Sequence, residues 1–511
     1  MLWRPSITLG TVYVWSALAG AADLTDADIV ALEAVALRAE LAAGRVSAER
    51  VTQAFLRRIA ALDDSGPMLG AVIEINPDAE AIARALDRHR DSQPIGALHG
   101  VPVLLKANID TADRMATSAG SRALAEHHAA ADAVLVARLR AAGAVLLGKT
   151  NLSEWANFRS TASTSGWSSL GGQTRNPYVL DRNPCGSSSG AAVAVAAGLA
   201  PLAIGTETNG SIVCPAATNG VVGIKPTVGL ISARGIVPLA PSQDTAGPLA
   251  RTVADAALLL DALVEPDAIG ATATSVAAGD TLAGVRIGVV RNYFGAERDA
   301  PVEAAFAAAL RLLADAGAVL VDPANPSLGP ESSAAESSLL LAEFRDNVAH
   351  YLSHVTNGPR TLNDLIEFNS AHAGEVMPHF GQELLIAARD SGGAENLDYR
   401  NAVTTIAAER RLLAELFATR GLDALVAPAN ARAWRTDYRG GDAVGVSSSS
   451  VAAVSGYPSI VVPLRLAAGL PLGIAFIGKP REEARLIEVA AIVERLRGPF
   501  PRPQFLRSTA D

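Results

Sequence analysis

Residues 183–226 constrain the fold of this chain more than any other segment, because they hold two serine-bearing turns joined by one apolar unit. A serine cluster at residues 187–189 opens an alanine-rich run that predicts a buried helix, and a strand-like segment follows at residues 202–204. A second polar turn, residues 206–211, ends in a lone serine, Ser211. Small residues let a backbone approach a ligand closely and point several N–H groups at one place. The two serine turns can therefore meet in space.

The composition of the chain excludes several classes of protein. Its 511 residues are 49% apolar and 19% charged, which is typical of a globular protein with a large core. The formal net charge is −9 and no basic block is present, so we expect no nucleic-acid partner. No window of about 20 apolar residues occurs beyond the N-terminal segment, so we expect no stable membrane span.

Residues 1–22 resemble a secretory signal peptide. Arg4 gives a short basic start, residues 7–19 are mostly apolar, and residues 19–21 (Ala-Gly-Ala) match a small-x-small cleavage site. A frayed N-terminus or a short docking helix is the alternative interpretation. If the signal is real, we expect a periplasmic or secreted protein, and otherwise a cytoplasmic one.

Helices alternate with short apolar strands along the chain. Strands are predicted at residues 72–75, 99–105, 144–147, 202–204, 285–290, 318–321, 425–427, 459–464 and 472–476. Helices are predicted at residues 26–43, 47–62, 76–89, 132–142, 253–264 and 302–316, and residues 331–420 are predicted to be mostly helical. Gly44 should end the first helix, while Ser47 and Asp132 should cap two others. This alternation predicts an α/β fold with a mostly parallel sheet covered by helices on both sides.

A match to the P-loop pattern at residues 143–150 (GAVLLGKT) does not predict ATP binding. In a P-loop the strand precedes the first glycine, and the loop that follows cradles phosphate. Here a predicted helix ends at Gly143 and the spacer residues are themselves a predicted strand.

A match to the G-x-S-x-G nucleophile elbow lies at residues 186–190, with Ser188 as its serine. The elbow requires an apolar strand before it, whereas residues 181–184 are Asp-Arg-Asn-Pro. An α/β-hydrolase-type esterase that uses Ser188 and a downstream histidine base is therefore a rival hypothesis and not the favoured one.

Three motifs in order resemble the signature of the amidase signature family of serine hydrolases. They are GVPVLLK at residues 100–106, CGSSSG at residues 185–190 and GTETNGSI at residues 205–212. The similarity runs from about Leu24 to about Glu494. The motifs depart from the commonest family pattern at Cys185, Ser189 and Asn209, and these variants most resemble the bacterial peptide amidase branch.

The resemblance implies one large domain, residues 23–511, with a mixed, mostly parallel sheet inside helical layers. The signature core would span about residues 99–255, and a helical region on the substrate side would span about residues 331–440. The substrate it implies is a linear carboxamide, such as a C-terminally amidated peptide or an amino-acid amide. It implies no metal and no cofactor, and a monomer or homodimer.

The resemblance also assigns roles to particular residues. Lys106, Ser187 and Ser211 would form a proton relay, in which Ser211 attacks the amide carbonyl and leads to an acyl-enzyme. A charged ammonium has no lone pair, so Lys106 must be neutral for part of the cycle. In the family the serine at position 187 follows a cis peptide bond. The backbone N–H groups that would bind the oxyanion are those of Thr208, Asn209, Gly210 and Ser211. The residues that would support the relay or the substrate are Ser163, Ser188 and Asp244.

Two alternatives to a stand-alone amidase remain open at the level of sequence. A glutamine-hydrolysing subunit of a tRNA-dependent amidotransferase resembles the same family, and it would need partner subunits. A non-catalytic binding protein on the same fold is disfavoured, because all three relay residues are present.

The chain has two cysteines, Cys185 and Cys214, and each lies close to a serine of the signature. We predict two small buried thiols here, with a disulfide as the alternative in an exported protein. The cysteines have no zinc-binding spacing.

Overall fold

A computed structural model describes residues 24–509, apart from 91, 93–94, 266–267, 270–275, 277–278, 280, 294–298 and 328–329. The signal-peptide prediction for residues 1–22 lies outside the described residues. The strands are β1 Val72–Ile75, β2 Pro102–Lys106, β3 Val145–Thr150, β4 Trp167–Ser168, β5 Gly172–Gln173, β6 Leu202–Glu207, β7 Val222–Lys225, β8 Thr245–Ala250, β9 Arg286–Val289, β10 Val319–Val321, β11 Ala424–Pro428, β12 Ser459–Ala467 and β13 Leu470–Gly478. The α-helices are α1 Asp26–Ala31, α2 Ala34–Ala42, α3 Ala48–Leu62, α4 Ala79–His89, α5 Val134–Ala141, α6 Ser189–Ala197, α7 Val213–Thr218, α8 Val253–Leu263, α9 Ala300–Asp315, α10 Pro330–Ser353, α11 Leu362–Ala371, α12 Ala373–Val376, α13 Glu383–Asp390, α14 Leu397–Arg420, α15 Ser449–Ser455 and α16 Glu483–Arg497.

One 11-stranded sheet organises the molecule, in the order β1-β3-β2-β6-β8-β7-β12-β13-β11-β9-β10. Parallel pairing joins β3, β2 and β6 in one block and β10, β9 and β11 in another. The other pairings in this sheet are antiparallel. The predicted α/β class and the mixed, helix-covered sheet are confirmed, and the parallel pairing is confined to these two blocks.

Helix α6 explains why the signature is rich in small residues. Every residue of α6 is buried, and the helix packs against β6, β2 and β3. At Gly190 a Cβ atom would lie 2.2 Å from the carbonyl oxygen of Ala71 and 2.6 Å from that of Asn151. The predicted buried helix after the serine cluster is therefore confirmed, and its small residues allow the close approach of neighbouring backbone.

The predicted helix over residues 26–43 is wrong in one respect, because the structure divides it into α1 and α2. Leu32 is extended, and the Val35 backbone N–H donates to Asp255 at 2.9 Å. A contact with a residue 220 positions away thus interrupts a local helical pattern. The predicted cap at Ser47 is confirmed, since its side chain accepts from the Arg50 N–H.

Asp132 does not cap the helix that was predicted to begin there. Helix α5 begins at Val134, and Ala133 is its N-cap residue. The Asp132 carboxylate instead accepts from the Ala112 N–H at 2.7 Å and from the Arg140 Nε at 2.9 Å. These longer-range donors replace the local cap.

Strand β3 contains the lysine of the P-loop match. Lys149 is fully buried, and its Nζ donates to the Ile109 carbonyl oxygen at 2.5 Å. The segment that would have to form a phosphate-binding loop is therefore a buried strand with a partner on each side, in agreement with the interpretation that this motif is not a P-loop.

A second apolar core lies under the long helices α10 and α14, beside the signature core. This agrees with the mostly helical character predicted for residues 331–420. None of the helices in the described part of the chain combines the length and the apolar composition needed to cross a membrane.

Candidate active site

Strands β2 and β6 bring the predicted site residues together. They are parallel neighbours, with Leu105 opposite Ile204, so their carboxyl ends meet at one edge of the sheet. Lys106 is the last residue of β2, and the turn after β6 leads to Ser211. The Ser188 backbone N–H donates to the Ser211 carbonyl oxygen at 3.0 Å. The two serine turns therefore meet, as expected.

The Lys106 amine lies at the centre of this cluster and is fully buried. Its Nζ donates to Ser187 Oγ at 2.7 Å and to Ser188 Oγ at 3.0 Å. It also lies 2.9 Å from Thr206 Oγ1 and 3.1 Å from the Thr206 carbonyl oxygen. All of its partners are neutral, so no ion pair compensates the burial of a charged amine.

Burial lowers the pKa of Lys106 from 10.5 to about 7, and the nearby carboxyl groups of Glu207 and Asp244 raise it in part. A substantial fraction of this amine is therefore neutral near pH 7. In that form its lone pair can accept a proton from the Ser187 hydroxyl.

The peptide bond between Gly186 and Ser187 is cis, as the resemblance implies. A Cβ atom at Gly186 would lie 2.2 Å from Ser153 Oγ, so only glycine fits before this serine. The hydroxyl of Ser187 is buried and faces the Lys106 amine.

The Ser188 hydroxyl is held by the backbone of Thr206. It donates to the Thr206 carbonyl oxygen at 3.0 Å and accepts from the Thr206 N–H at 3.2 Å. It is fully buried, and the segment before Gly186 forms no strand. These contacts disfavour Ser188 as a nucleophile and indicate a supporting position beside Lys106.

Ser211 differs from the other two serines. Its side chain makes no hydrogen bond within the described residues, including none to the Ser187 hydroxyl, and the residue is 8% exposed. The backbone N–H groups of residues 208–211 likewise donate no hydrogen bond within the part of the chain that the structure describes. Gly210 has a φ of 83°, which turns the backbone sharply before Ser211. An unengaged hydroxyl and several unused donors therefore lie in one turn.

Two carboxyl groups hold the shape of this turn. Asp244 accepts from Thr208 Oγ1 at 2.6 Å and from the N–H groups of Leu239 and Ala240 at 2.8 and 2.9 Å. Glu207 accepts from the backbone N–H groups of Ile212 and Val213, the first residues after Ser211. Burial raises the pKa of the Asp244 carboxyl. Structural donors therefore occupy the Asp244 carboxyl and Oε2 of Glu207.

Asn209 contacts residues that the sequence did not point to. Its Nδ2 donates to Glu336 Oε1 at 2.8 Å and to Ser450 Oγ at 3.2 Å, and its Oδ1 accepts from Ser449 Oγ at 2.7 Å. The Gln243 side chain also donates to Glu336 at 2.8 Å. These partners come from α10, α15 and the segment before β8, so no local motif could have found them.

Ser163 is buried, and its backbone N–H donates to the Ser160 carbonyl oxygen. No hydrogen bond in the described structure joins it to Lys106, Ser187 or Ser211. Its support of the relay or the substrate stays a prediction.

The expectation of two free thiols is wrong, because Cys185 and Cys214 form a disulfide. Their Cα atoms are 6.0 Å apart. The bond from the Ser188 N–H to the Ser211 carbonyl oxygen holds the two turns at this separation. The disulfide thus ties the Ser187 turn to the start of α7.

Replacing Cys185 and Cys214 together with alanine should lower the free energy of unfolding by about 3 to 4 kcal/mol. The disulfide closes a loop between residues 29 positions apart, and the closure limits the conformations of the unfolded chain. Urea unfolding of the two proteins measures the difference. Reductant should shift the unfolding midpoint of the unsubstituted protein toward that of the variant and leave the variant unchanged, and equal midpoints without reductant would contradict the prediction.

Comparisons with known proteins show the family of this chain. A family model described as Amidase matches residues 50–487. An Arabidopsis thaliana protein named "Probable amidase" is 38% identical over 473 residues, which cover 88% of this chain and 87% of that protein. A glutamyl-tRNA(Gln) amidotransferase subunit from Salinispora arenicola is 37% identical over 503 residues, which cover 93% of this chain and 99% of that protein.

The solved structure of native peptide amidase from Stenotrophomonas maltophilia superposes with a TM-score of 0.86 at 46% identity, covering 93% of this chain and 99% of that one. An amidase family protein from Bacillus anthracis superposes with a TM-score of 0.83 at 34% identity, over 94% of this chain and 93% of that one. The signature motifs, the fold and these similarities agree, and the chain belongs to the amidase family of amide-hydrolysing enzymes.

Proposed function

We propose that this amidase hydrolyses the C-terminal carboxamide of amidated peptides or of amino-acid amides, through a relay of Lys106, Ser187 and Ser211. The observation that carries the proposal is the 2.7 Å contact from the Lys106 Nζ to Ser187 Oγ, in the same cluster as the unengaged hydroxyl of Ser211. A serine hydroxyl is a weak nucleophile until a base removes its proton. Lys106 is the base within reach, and its lowered pKa suits the task.

The relay first carries a proton from Ser211 toward Lys106 and later carries a proton back to the leaving group. Neutral Lys106 accepts the proton of Ser187 while Ser187 accepts that of Ser211, and the Ser211 oxygen attacks the amide carbon. The tetrahedral intermediate collapses, the relay returns the proton to the leaving nitrogen, and the C–N bond breaks to release ammonia. Water then attacks the acyl-enzyme with the same proton transfers and releases the carboxylic acid. The step between the two serines requires their hydroxyls to draw together when substrate binds, since catalytic hydrogen bonds often tighten only in the complex.

The oxyanion of the intermediate needs donors that are already in place. The backbone N–H groups of Thr208, Asn209, Gly210 and Ser211 suit this role, because other groups of the described structure do not use them. One such donor contributes about 3–4 kcal/mol to stabilisation of the transition state. Asp244 and Glu207 keep the turn in shape from behind.

The choice of a peptide amide rests on the signature variants at Cys185, Ser189 and Asn209 and on the similarity to peptide amidase. A peptide amidase solved with the competitive inhibitor chymostatin is 47% identical to this chain over 93% of its length. The amidotransferase subunits among the relatives are 35–37% identical, and they support glutamine hydrolysis as the alternative.

The test is a comparison of kcat/KM on a panel of substrates. The panel holds C-terminally amidated dipeptides, the matching amino-acid amides, free glutamine and a simple aliphatic amide. We expect the purified chain, as a monomer or homodimer without partner subunits, to prefer the amidated dipeptides or amino-acid amides. A preference for glutamine, or activity only with added subunits, would favour the amidotransferase alternative.

We also propose that the protein is exported and that residues 1–21 are removed. The Cys185–Cys214 disulfide supports this, because disulfides persist mainly in oxidising compartments. N-terminal sequencing of secreted or periplasmic material should give a start near Ala22 or Asp23. An intact Met1 in an active, soluble cytosolic pool would contradict the proposal.

A further inference from the structure

A cavity lies at the far end of the strands that carry the active site. Strand β8 begins with Thr245 opposite Glu207, next to the catalytic turn, and ends with Ala250 opposite Leu202. At about 3.3 Å per residue, the two ends are about 17 Å apart. Arg251 follows directly and lines a cavity of about 440 Å³, so this cavity is separate from the active site.

This cavity, which we call the arginine cavity, has one charged wall and one apolar wall. Four arginines and two glutamates line it, namely Arg251, Arg495, Arg497, Arg502, Glu33 and Glu494. Phe500 and three prolines of the C-terminal segment form an apolar wall together with Tyr178, and the Arg497 guanidinium lies over the Phe500 ring, 5.2 Å from its centroid. The Tyr178 hydroxyl donates to the Pro501 carbonyl oxygen at 2.7 Å, which fixes this wall against the body of the protein.

Two of the arginines are buried and have unused donors. The Arg251 side chain is 6% exposed, and its Nη1 has no hydrogen-bond partner among the described residues. The Arg497 side chain is 9% exposed, and its Nε and Nη1 also lack hydrogen-bond partners within the described chain. Leaving a buried charged donor unpaired costs more than leaving a neutral one unpaired. These N–H groups therefore point to a missing acceptor.

The carboxylates around the cavity do not supply that acceptor. Glu33 is shared, since it accepts from Arg251 Nε at 2.8 Å and from Arg502 Nη2 at 2.7 Å. Glu494 accepts from the Val253 N–H and lies 3.9 Å from Arg497. Burial raises the pKa of Glu494 to about 7, so it is only partly charged at neutral pH. Positive charge is left in excess.

We propose that the arginine cavity binds an organic phosphate monoester. A phosphate group carries nearly two negative charges at neutral pH and three acceptor oxygens, which suit the excess charge and the unused donors. The aromatic and proline wall would contact an apolar or aromatic body on the ester. The volume lies within the range of small-molecule sites.

Calorimetric titration of the full chain with phenyl phosphate, inorganic phosphate and benzoate, at constant ionic strength, tests the proposal. We expect saturable one-to-one binding of phenyl phosphate, at least about tenfold tighter than that of either fragment. Enzyme first labelled at its active-site serine with a fluorophosphonate should bind phenyl phosphate equally well, because the two sites are separate. Absence of saturable binding of phenyl phosphate, or loss of that binding on labelling, would overturn the proposal. Inorganic phosphate that binds as tightly as phenyl phosphate would contradict the proposal that the ligand is an organic ester.

Two variants locate the site. Arg497→Met should weaken the binding of phenyl phosphate by about tenfold or more, because a charge-assisted hydrogen bond is lost. Arg502→Met serves as a second variant that should fold well, since its side chain is 50% exposed. Arg389→Met is the matched control, because Arg389 is an exposed arginine on α13 paired with Asp390. Equal affinities in Arg502→Met and Arg389→Met, with both folded, would overturn the assignment.

Discussion

Replacing Ser211 with alanine is expected to lower kcat for amide hydrolysis by about 10⁶-fold, the order of magnitude for losing a serine nucleophile. The variant keeps the Lys106 cluster and the turn, since Asp244 and Glu207 hold that turn through other atoms. Substrate binding should therefore survive. Initial rates on an amidated dipeptide, together with binding of the uncleaved peptide, measure the two effects.

A fluorophosphonate identifies the same serine independently, because only an activated serine reacts readily. We expect peptide mapping to find the label on Ser211, and Ser211→Ala to remain unlabelled. Ser188→Ala is the control, since the Ser188 hydroxyl is held by Thr206 and should not be the labelled group. A label on Ser188 would contradict the proposed mechanism and support the elbow interpretation.

Replacing Lys106 with alanine should lower kcat by several orders of magnitude, because no other base among the described residues hydrogen-bonds the Ser187 hydroxyl. The sign of the pH dependence follows from the lowered pKa. The amine is protonated and inactive below about pH 7 and neutral above it, so kcat/KM should rise as pH increases through about 7. Lys106→Ala should remove this limb. Lys106→Arg should fail as well, because a guanidinium stays protonated.

Lys149 offers a matched control for this experiment. It is also fully buried and lies on the neighbouring strand opposite Leu105, the residue before Lys106, and burial lowers its pKa to about 8. Its Nζ contacts Ile109 and Thr117 and neither serine of the relay, so Lys149→Met should keep the low-pH limb. Adding Ser187→Ala to Lys106→Ala should cost little more, since the two act as one unit. A Lys106→Ala enzyme with a near-normal rate and pH profile would rule the relay out.

Much of the fold was predictable because its signals are local. The apolar strands, the cap at Ser47 and the alanine-rich helix after the serine cluster each depend on residues within a few positions of one another. The position of Lys106 at the end of β2 follows from the same kind of signal. The signature motifs then indicated which of these local pieces belong to one site.

What the amino-acid sequence by itself determined is many of the helices and strands, the family and the candidate residues of the relay. Only the tertiary structure decided how distant residues pair, because hydrogen bonds between residues far apart along the chain leave no periodic or local signal. It divided the predicted helix over residues 26–43, joined Cys185 to Cys214, and placed Glu336 against Asn209 across 127 positions. The lowered pKa of Lys106 is of the same kind, since it arises from burial beside neutral hydrogen-bond partners that the chain brings together only when it folds.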